Sequence, residues 1–525
     1  MLRNCSAPVT LRGRALPGGR TAVGAAAAAV FLLATACSPP SEGEHAGGSE
    51  EAPAEKPSGE PDELTAVDPE TVADLDEEHS EEKRGDVSVE ISYPVVGGAG
   101  PFADELGGIT DRAAEEFADA VPGAESLTVT GALTAAGGDV LGVRLEQKEK
   151  DSDGTRTGHS TYWYDAATGA TAYSTQLLAG DEELGELHER VTELLAEQDV
   201  DTAGLYPIAG MYDSIGFNPD GDLVVEFDEG QLAPAGDGRV HAVVPRKEAE
   251  PLLSDLGERA RAAATAVTPD FTLEKKASAP KDGAAGEVPG RPSPASSDVD
   301  CSDPEAKCIA LTFDDGPGGR TPELLDELDE YGAKATFFLT GEPIREHPET
   351  VRREYAEGHE VANHTESHPD LTTLGKGGVR EELASVSGLI DRETGYRPEL
   401  MRPPYGATDD TVAGVSRDLG MAEIIWSVDT NDWKDRNSSV VADRAVKGAE
   451  PGAIILMHDI HDTTVDAVPE ILKRLDEKGF TMVTVSQLLG ETEPGEKYFD
   501  GEEVITGKDE EDSSENGDGG KSGEE

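Results

Sequence analysis

The sequence predicts a C-terminal α/β region folded as a distorted (β/α) barrel of about seven strands, preceded by a smaller α+β domain. Three observations predict it. Between residues 301 and 489, short apolar runs alternate with helix-period segments, which implies parallel strands joined by helical crossovers. Between 87 and 267, strand-period runs dominate and helical patterns are few. Stretches rich in Pro, Gly, Glu and Ser separate these regions from each other and from the ends of the chain.

The chain has 525 residues, with 108 Asp+Glu against 44 Lys+Arg, a formal net charge of −64. That balance argues against nucleic acid as a partner, because phosphate binding needs a positive face, and against electrostatic docking to anionic lipid. With 36% hydrophobic and 5% aromatic residues, 60 Gly and 33 Pro, the cores must occupy only part of the chain. There is no Gly-x-y period and no long apolar run, which excludes a collagenous or polytopic membrane protein.

Arg3, Arg12, Arg14 and Arg20 precede an apolar stretch at 22–34, followed by Ala36 and Cys37. A basic start, a short apolar segment and small residues mark an export signal. Leu33-Ala34-Thr35-Ala36-Cys37 resembles the lipobox of bacterial lipoproteins, with Ala34 where Leu is commonest. The resemblance implies loss of 1–36, acylation of Cys37, and a mature chain anchored on the outer face of the cytoplasmic membrane, facing the wall. An uncleaved anchor and a plain secretory signal are the alternatives. Cys5 leaves with the signal, so Cys301 and Cys308 remain, and an exported pair is most simply a disulfide. The alternatives are two free thiols or a zinc pair, but no further cysteines exist to complete a structural zinc site.

Residues 37–86 read as an acidic, flexible tether with too little apolar surface to offset ordering entropy. The module at 87–267 opens with an alternating strand at 87–93. A helix follows at 103–121 with Leu106, Ile109 and Phe117 on one face. Further strands are expected at 126–133, 140–147, 160–164 and 223–227, and a helix at 183–197. His159 and His188 are isolated there and carry no catalytic cluster. Tyr162-Trp163-Tyr164-Asp165-Ala166-Ala167-Thr168-Gly169 resembles the domain of lysozyme-sensing anti-sigma factors, which also precedes the catalytic part of some cell-wall deacetylases. That resemblance implies a binding or spacing module with a protein ligand. A second linker at 268–300 and an acidic tail at 490–525 complete the order.

In the catalytic region, strands are expected at 309–313, 336–339, 360–363, 400–402, 424–428, 454–457 and 482–485. Helices are expected at 322–331, 344–357, 379–393, 409–419 and 469–478. Reacting residues of such barrels sit at the C-terminal strand ends. There stand Asp314-Asp315, His364 with His368 four residues on, Arg402, Asp429 followed by Asp432-Trp433, and His458. Singly, each fits an ordinary turn, loop or surface residue. Together, on one rim, they point to a site.

Two His at i, i+4 plus a carboxylate make three protein ligands with one coordination position open, the pattern of a catalytic metal site. Such a metal lowers the pKa of water and polarises a carbonyl. Of two adjacent Asp, one would ligate and the other act as general base, kept ionised by Arg402. His458 would donate a proton to a leaving group, and Asp429 would fix its tautomer and raise its pKa.

Thr312-Phe313-Asp314-Asp315-Gly316-Pro317, His364-Thr365-Glu366-Ser367-His368, Arg402-Pro403-Pro404-Tyr405-Gly406, Asp429-Thr430-Asn431-Asp432-Trp433 and Leu456-Met457-His458 are similar, in order, to the five motifs of the polysaccharide deacetylase family, the NodB homology domain. The resemblance implies Asp314 as general base, and Asp315, His364 and His368 as ligands of one divalent ion. Zn²⁺ is the default for such ligands, with Co²⁺ or Ni²⁺ as alternatives. It further implies Arg402 pairing with Asp314, the Tyr405 backbone N–H as oxyanion donor, His458 as acid tuned by Asp429, and Trp433 and Leu456 walling the acetyl pocket. The implied reaction is hydrolysis of N-acetyl groups on amino sugars, with peptidoglycan as the polymer. The rivals are a chitooligosaccharide deacetylase or acetyl-xylan esterase on the same fold, and a wall- or lysozyme-binding sensor lipoprotein.

If Cys37 carries the anchor, Cys37→Ala releases the protein from the membrane fraction. Retention of the variant in that fraction points instead to an uncleaved anchor.

Overall fold

The computed structural model describes residues 57–121, 123–152, 154–234, 236, 238–273, 287–293 and 299–501. The expected export signal, Cys37 and the acidic tail beyond 501 lie outside the described residues. Among the described residues, no helix is long and apolar enough to cross a membrane.

The N-terminal module begins earlier than its composition suggests. Strand β1 (Leu75–Arg84) lies inside the segment read as a tether and pairs antiparallel with β2 (Val87–Val96) along its whole length. Nearly every residue of β1 is exposed, so it adds backbone hydrogen bonds at a sheet edge and almost no apolar burial. A reading based on apolar content cannot see such a strand. Helix α1 (Gly100–Ala120) crosses from β2 to β3 (Ser126–Gly137), which runs parallel to β2. Leu106 and Phe117 of this helix are buried, while Ile109 is half-buried against the same cluster. Strands β4 (Val140–Lys150), β5 (Thr155–Asp165) and β6 (Ala170–Tyr173) extend the sheet in sequential order.

Helix α2 (Asp181–Ala196) buries Leu184, Leu187, Val191 and Leu195, the i, i+3, i+4 stripe of an amphipathic helix. It packs near a small antiparallel sheet of β7 (Ser214–Phe217), β8 (Leu223–Phe227) and β9 (Val240–Val244). Helix α3 (Asp255–Ala264) starts at Ser254, whose hydroxyl accepts the Gly257 N–H. The stretch read as a second linker also contributes structure. Phe271 and Leu273 are buried with the first sheet, and Arg291 lies 4.2 Å over the Tyr173 ring.

The C-terminal region is a curled parallel sheet with helical crossovers. Its strands are β10 (Cys308–Asp314), β11 (Thr336–Leu339), β12 (Glu360–Asn363), β13 (Leu400–Met401), β14 (Ala422–Ile424), β15 (Val428–Asp429), β16 (Ile454–His458), β17 (Thr481–Val483) and β18 (Lys497–Tyr498). Crossovers are α4 (Thr321–Glu330), α5 (Pro348–Ala356), α6 (Lys376–Thr394), α7 (Asp410–Asp418), α8 (Ser438–Gly448) and α9 (Val468–Glu477). The strand order is β15-β16-β10-β11-β12-β13-β14-β18, with β17 also on β10.

The single strand expected at 424–428 is in fact two. β14 pairs with β13 and β15 with β16, and no ladder joins β14 to β15, so the barrel stays open there. The region also runs past 489, because β18 pairs with β14 and the Tyr498 hydroxyl accepts the Glu493 N–H. Cys301 and Cys308 form the expected disulfide at the entry to β10.

The two regions share one apolar core, in which Leu187, Met211 and Tyr212 belong to the same cluster as Leu311, Phe313 and Phe337. Their contact is tight. A Cβ at Gly210 would fall 2.4 Å from the Gly395 nitrogen, and the Gly210 N–H donates to Thr394 O. Arg352 of α5, with 4% of its side chain exposed, pairs with Glu393 at 2.6 Å. The same guanidinium donates to the carbonyls of Gly204 at 3.1 Å and Gln231 at 3.3 Å in the module. Arg352→Ala would leave the buried Glu393 with only the Arg392 guanidinium, 3.7 Å away, and take the donor from the Gly204 and Gln231 carbonyls, a loss of about 1–3 kcal/mol. A thermal melt of the variant is expected to show that destabilisation, and an unchanged midpoint would refute the role of this pair.

Candidate active site

The parallel register delivers the polar residues to one rim. Asp314 ends β10 and His458 ends β16, directly opposite each other. Asn363 ends β12 opposite Met401 of β13, so His364 and Arg402, the next residues, also emerge side by side.

Arg402 has no exposed surface. Its Nη1 donates to Asp314 Oδ1 at 2.6 Å and to Thr312 Oγ1 at 2.7 Å. Its Nε and Nη2 donate to the carbonyls of Ile424 at 3.2 Å and Ile425 at 3.0 Å. The guanidinium also lies 4.1 Å over the Phe338 ring. Capture of these two carbonyls accompanies the break between β14 and β15. Thr312 was not singled out in the sequence, yet it stands two residues before Asp314 and therefore on the same face of the strand. Burial pushes the Asp314 carboxyl up from its ordinary range, while Arg402 works to hold it down. Burial likewise lowers the Arg402 guanidinium against the pull of Asp314. A carboxylate that is ion-paired yet raised by burial is a stronger proton acceptor than a free one.

His364 places Nδ1 2.7 Å from the Arg402 carbonyl. A carbonyl can only accept, so Nδ1 carries the proton and Nε2 presents a lone pair. That Nε2 lies 3.5 Å from Asp315 Oδ1, and His368 Nε2 lies 3.4 Å from the same oxygen. Ligand atoms of Asp315, His364 and His368 all lie within 4.8 Å of one another. Asp315 Oδ1 is buried without a hydrogen-bond partner. Burial pushes His364 down to about 3, which keeps the imidazole neutral as a ligand must be. An orphaned carboxylate oxygen facing two imidazole nitrogens fits a divalent cation, with N, N and O donors of the kind zinc takes.

Three of the predicted site residues adopt left-handed backbone conformations that side chains disfavour: Asp315 at φ 72°, His368 at 55° and Tyr405 at 62°. Such conformations persist where the surroundings over-determine them, and they gather at functional sites. The His368 and Tyr405 rings meet edge to face at 4.8 Å. Tyr405 is 69% exposed and Trp433 49% exposed, both large surfaces on the rim, whereas Leu456 is buried within β16.

One expectation is corrected. Asp429 does not orient His458, because its Oδ1 accepts the Asn431 N–H at 2.7 Å. The partner of His458 is Asp432, whose Oδ1 lies 2.9 Å from Nδ1 and whose Oδ2 accepts the His458 N–H at 2.8 Å. Asp432 is fully buried, and the Thr464 hydroxyl donates to its Oδ2 at 2.7 Å. The reason is a reversal of the chain: Asn431 sits at φ 52°, in the left-handed region, and turns Asp432 back toward β16. Burial alone would lower the His458 pKa. The Asp432 hydrogen bond and the nearby Asp314 charge outweigh it and push it up to about 9.

Similarity to known proteins falls on this half of the chain. A family model described as polysaccharide deacetylase matches residues 302–424, which include Asp314, Asp315, His364, His368, Arg402 and Tyr405. The peptidoglycan-N-acetylglucosamine deacetylase PgdA of Listeria monocytogenes is 44% identical over 196 residues, 37% of this chain and 41% of that protein. The peptidoglycan-N-acetylmuramic acid deacetylase PdaC of Bacillus subtilis is 44% identical over 187 residues, 35% of this chain and 39% of that protein. The chain thus spans about two fifths of these two relatives. A peptidoglycan-N-acetylglucosamine deacetylase of Bacillus cereus is 41% identical over 186 residues, 34% of this chain and 68% of that protein. With five motifs converging on one rim and a relative of this identity covered over two thirds of its length, the chain belongs to the polysaccharide deacetylase family.

Proposed function

We propose that the protein hydrolyses N-acetyl groups on the amino sugars of a cell-wall polysaccharide, with peptidoglycan as the substrate. The convergence of Asp315, His364 and His368 between the Asp314–Arg402 pair and the His458–Asp432 pair carries this reading. Two relatives with 44% identity act, by their names, on the two amino sugars of peptidoglycan. A divalent ion, Zn²⁺ by its donor set, would be held by those three side chains and would supply a Lewis acid for the amide carbonyl.

The remaining work falls to the chain itself. Asp314 is fixed through Oδ1 by Arg402, which leaves Oδ2 as the acceptor for a proton from the attacking water. The Tyr405 backbone N–H is the assigned donor to the oxyanion that forms as water adds to the carbonyl carbon. His458 is held through Nδ1 by Asp432, so Nε2 carries the proton for the amide nitrogen. Breaking the C–N bond then releases acetate and a free amine. One carboxyl raised by burial and one imidazole raised by a carboxylate give a base and an acid in the same site near neutral pH. Exposed Trp433 and Tyr405 offer flat faces to a pyranose ring beside this chemistry. Anchoring at Cys37 would hold the enzyme on the outer face of the cytoplasmic membrane, within reach of the wall, with the N-terminal module as a spacer or protein-binding element.

Acetate release from purified peptidoglycan, measured with and without chelator, tests the function. Release that stops on chelation and returns with Zn²⁺ is the expected result. Release from acetylated xylan alone would reassign the substrate. Asp432→Asn removes the charge that raises His458, so burial lowers its pKa and the acid loses its proton at lower pH. The alkaline limb of the pH–rate profile is expected to fall by about 1–3 pH units. An unmoved limb would show that Asp432 does not set the acid.

A further inference from the structure

Asp459 follows His458 at the end of β16, and it is 2% exposed. No motif assigned it a role. Its Oδ2 accepts the Gly318 N–H at 3.2 Å and also the Thr321 hydroxyl. Thr321 Oγ1 in turn accepts the Gly318 N–H at 2.8 Å, so the three residues close a small buried ring of hydrogen bonds. The other oxygen, Oδ1, lies against Gly316, where a Cβ would come within 2.4 Å of it. At Gly318 a Cβ would come within 2.8 Å of the Asp459 carbonyl oxygen. Neither glycine is at positive φ. What each position requires is room for close approach: the Gly316-Pro317-Gly318 turn lies directly on Asp459.

That turn is the continuation of Asp315. On its other side, the Thr340 hydroxyl donates to the Asp315 carbonyl at 3.1 Å and the Thr340 N–H donates to Gly316 O at 3.2 Å. The Asp315 N–H donates to Phe338 O at 3.1 Å. Asp315 is thus gripped by strand β11 and the Thr340 that follows it on one side. On the other, its turn is held by the residue that immediately follows the proposed acid.

We propose that Asp459 is a positioning residue for the metal site. Its carboxylate, with Thr321, clasps the turn after Asp315 and sets that ligand relative to His364 and His368. The inference rests on the deacetylase reading above. Metal–ligand distances tolerate only about 0.2 Å, so slack in this turn passes directly to the Asp315 oxygen. Loss of a residue that orients a ligand from behind costs about 10–100-fold in metal affinity. The same clasp ties the end of β16 to the turn after β10, so the acid and the metal ligand are registered to each other.

The test is a Zn²⁺ titration of the full chain against a chromophoric chelator, for wild type, Asp459→Ala, Asp459→Asn and Thr321→Val. Circular dichroism of each supplies the folded fraction. Asp459→Ala and Thr321→Val are expected to bind Zn²⁺ about 10–100-fold more weakly. Asp459→Asn keeps one acceptor oxygen and is expected to stay within a few-fold of wild type. Thr321→Val preserves shape and removes only the hydroxyl, so it decides the matter if Asp459→Ala does not fold. Folded variants that bind Zn²⁺ like wild type, or whose affinity falls only with the folded fraction, would overturn the positioning role and leave the deacetylase reading intact. Wild type that binds none of Zn²⁺, Co²⁺ and Ni²⁺ would overturn both.

Discussion

The ion pair between Arg402 and Asp314 is the constraint around which the catalytic region is organised. A guanidinium with no exposed surface is tolerable only if its N–H groups and its charge are matched. Here the partners come from three places: Asp314 and Thr312 on β10, Ile424 at the end of β14, and Ile425 just beyond it. The carbonyl of Arg402 in addition fixes the tautomer of His364. One residue therefore aligns the base, orients a metal ligand and accompanies the opening of the sheet. The barrel is left incomplete between β14 and β15, where the carbonyls of Ile424 and Ile425 accept from Arg402.

Much of this was legible in the sequence because strand ends are informative. Apolar runs bounded by Asp314, His364, Arg402 and His458 place those residues on one rim whatever the details of curvature. What escaped was whatever depends on a single backbone reversal. Position at the strand end points to Asp429 as the partner of His458, and only the left-handed Asn431 brings Asp432 there instead. Asp459 was hidden for a related reason. Its meaning comes from two glycines over a hundred residues away, and nothing in its own neighbourhood announces them.

The N-terminal module was legible in outline and less so at its edges. The amphipathic helices and the alternating strands carry their own signal, because burial on one face imposes a period. Segments held by backbone bonds or by a few anchoring side chains carry none. Strand β1, the Phe271–Leu273 stretch and β18 all lie in low-complexity or acidic sequence, and each is recruited by an edge or a pocket that other residues build. The seam between module and catalytic region is of the same kind: Gly210 against Gly395 is a contact of two backbones, made possible by the absence of side chains.

Strand β1 has a consequence of its own. It forms an outer margin of the six-stranded sheet, where unpaired backbone groups invite another chain to add on. Its sequence there is Asp76-Glu77-Glu78-His79-Ser80-Glu81-Glu82, nearly all exposed and dominated by carboxylates. A second molecule approaching with the same strand would meet like charge along its full length. The acidity that makes the segment look unstructured thus opposes strand-to-strand self-association at this edge.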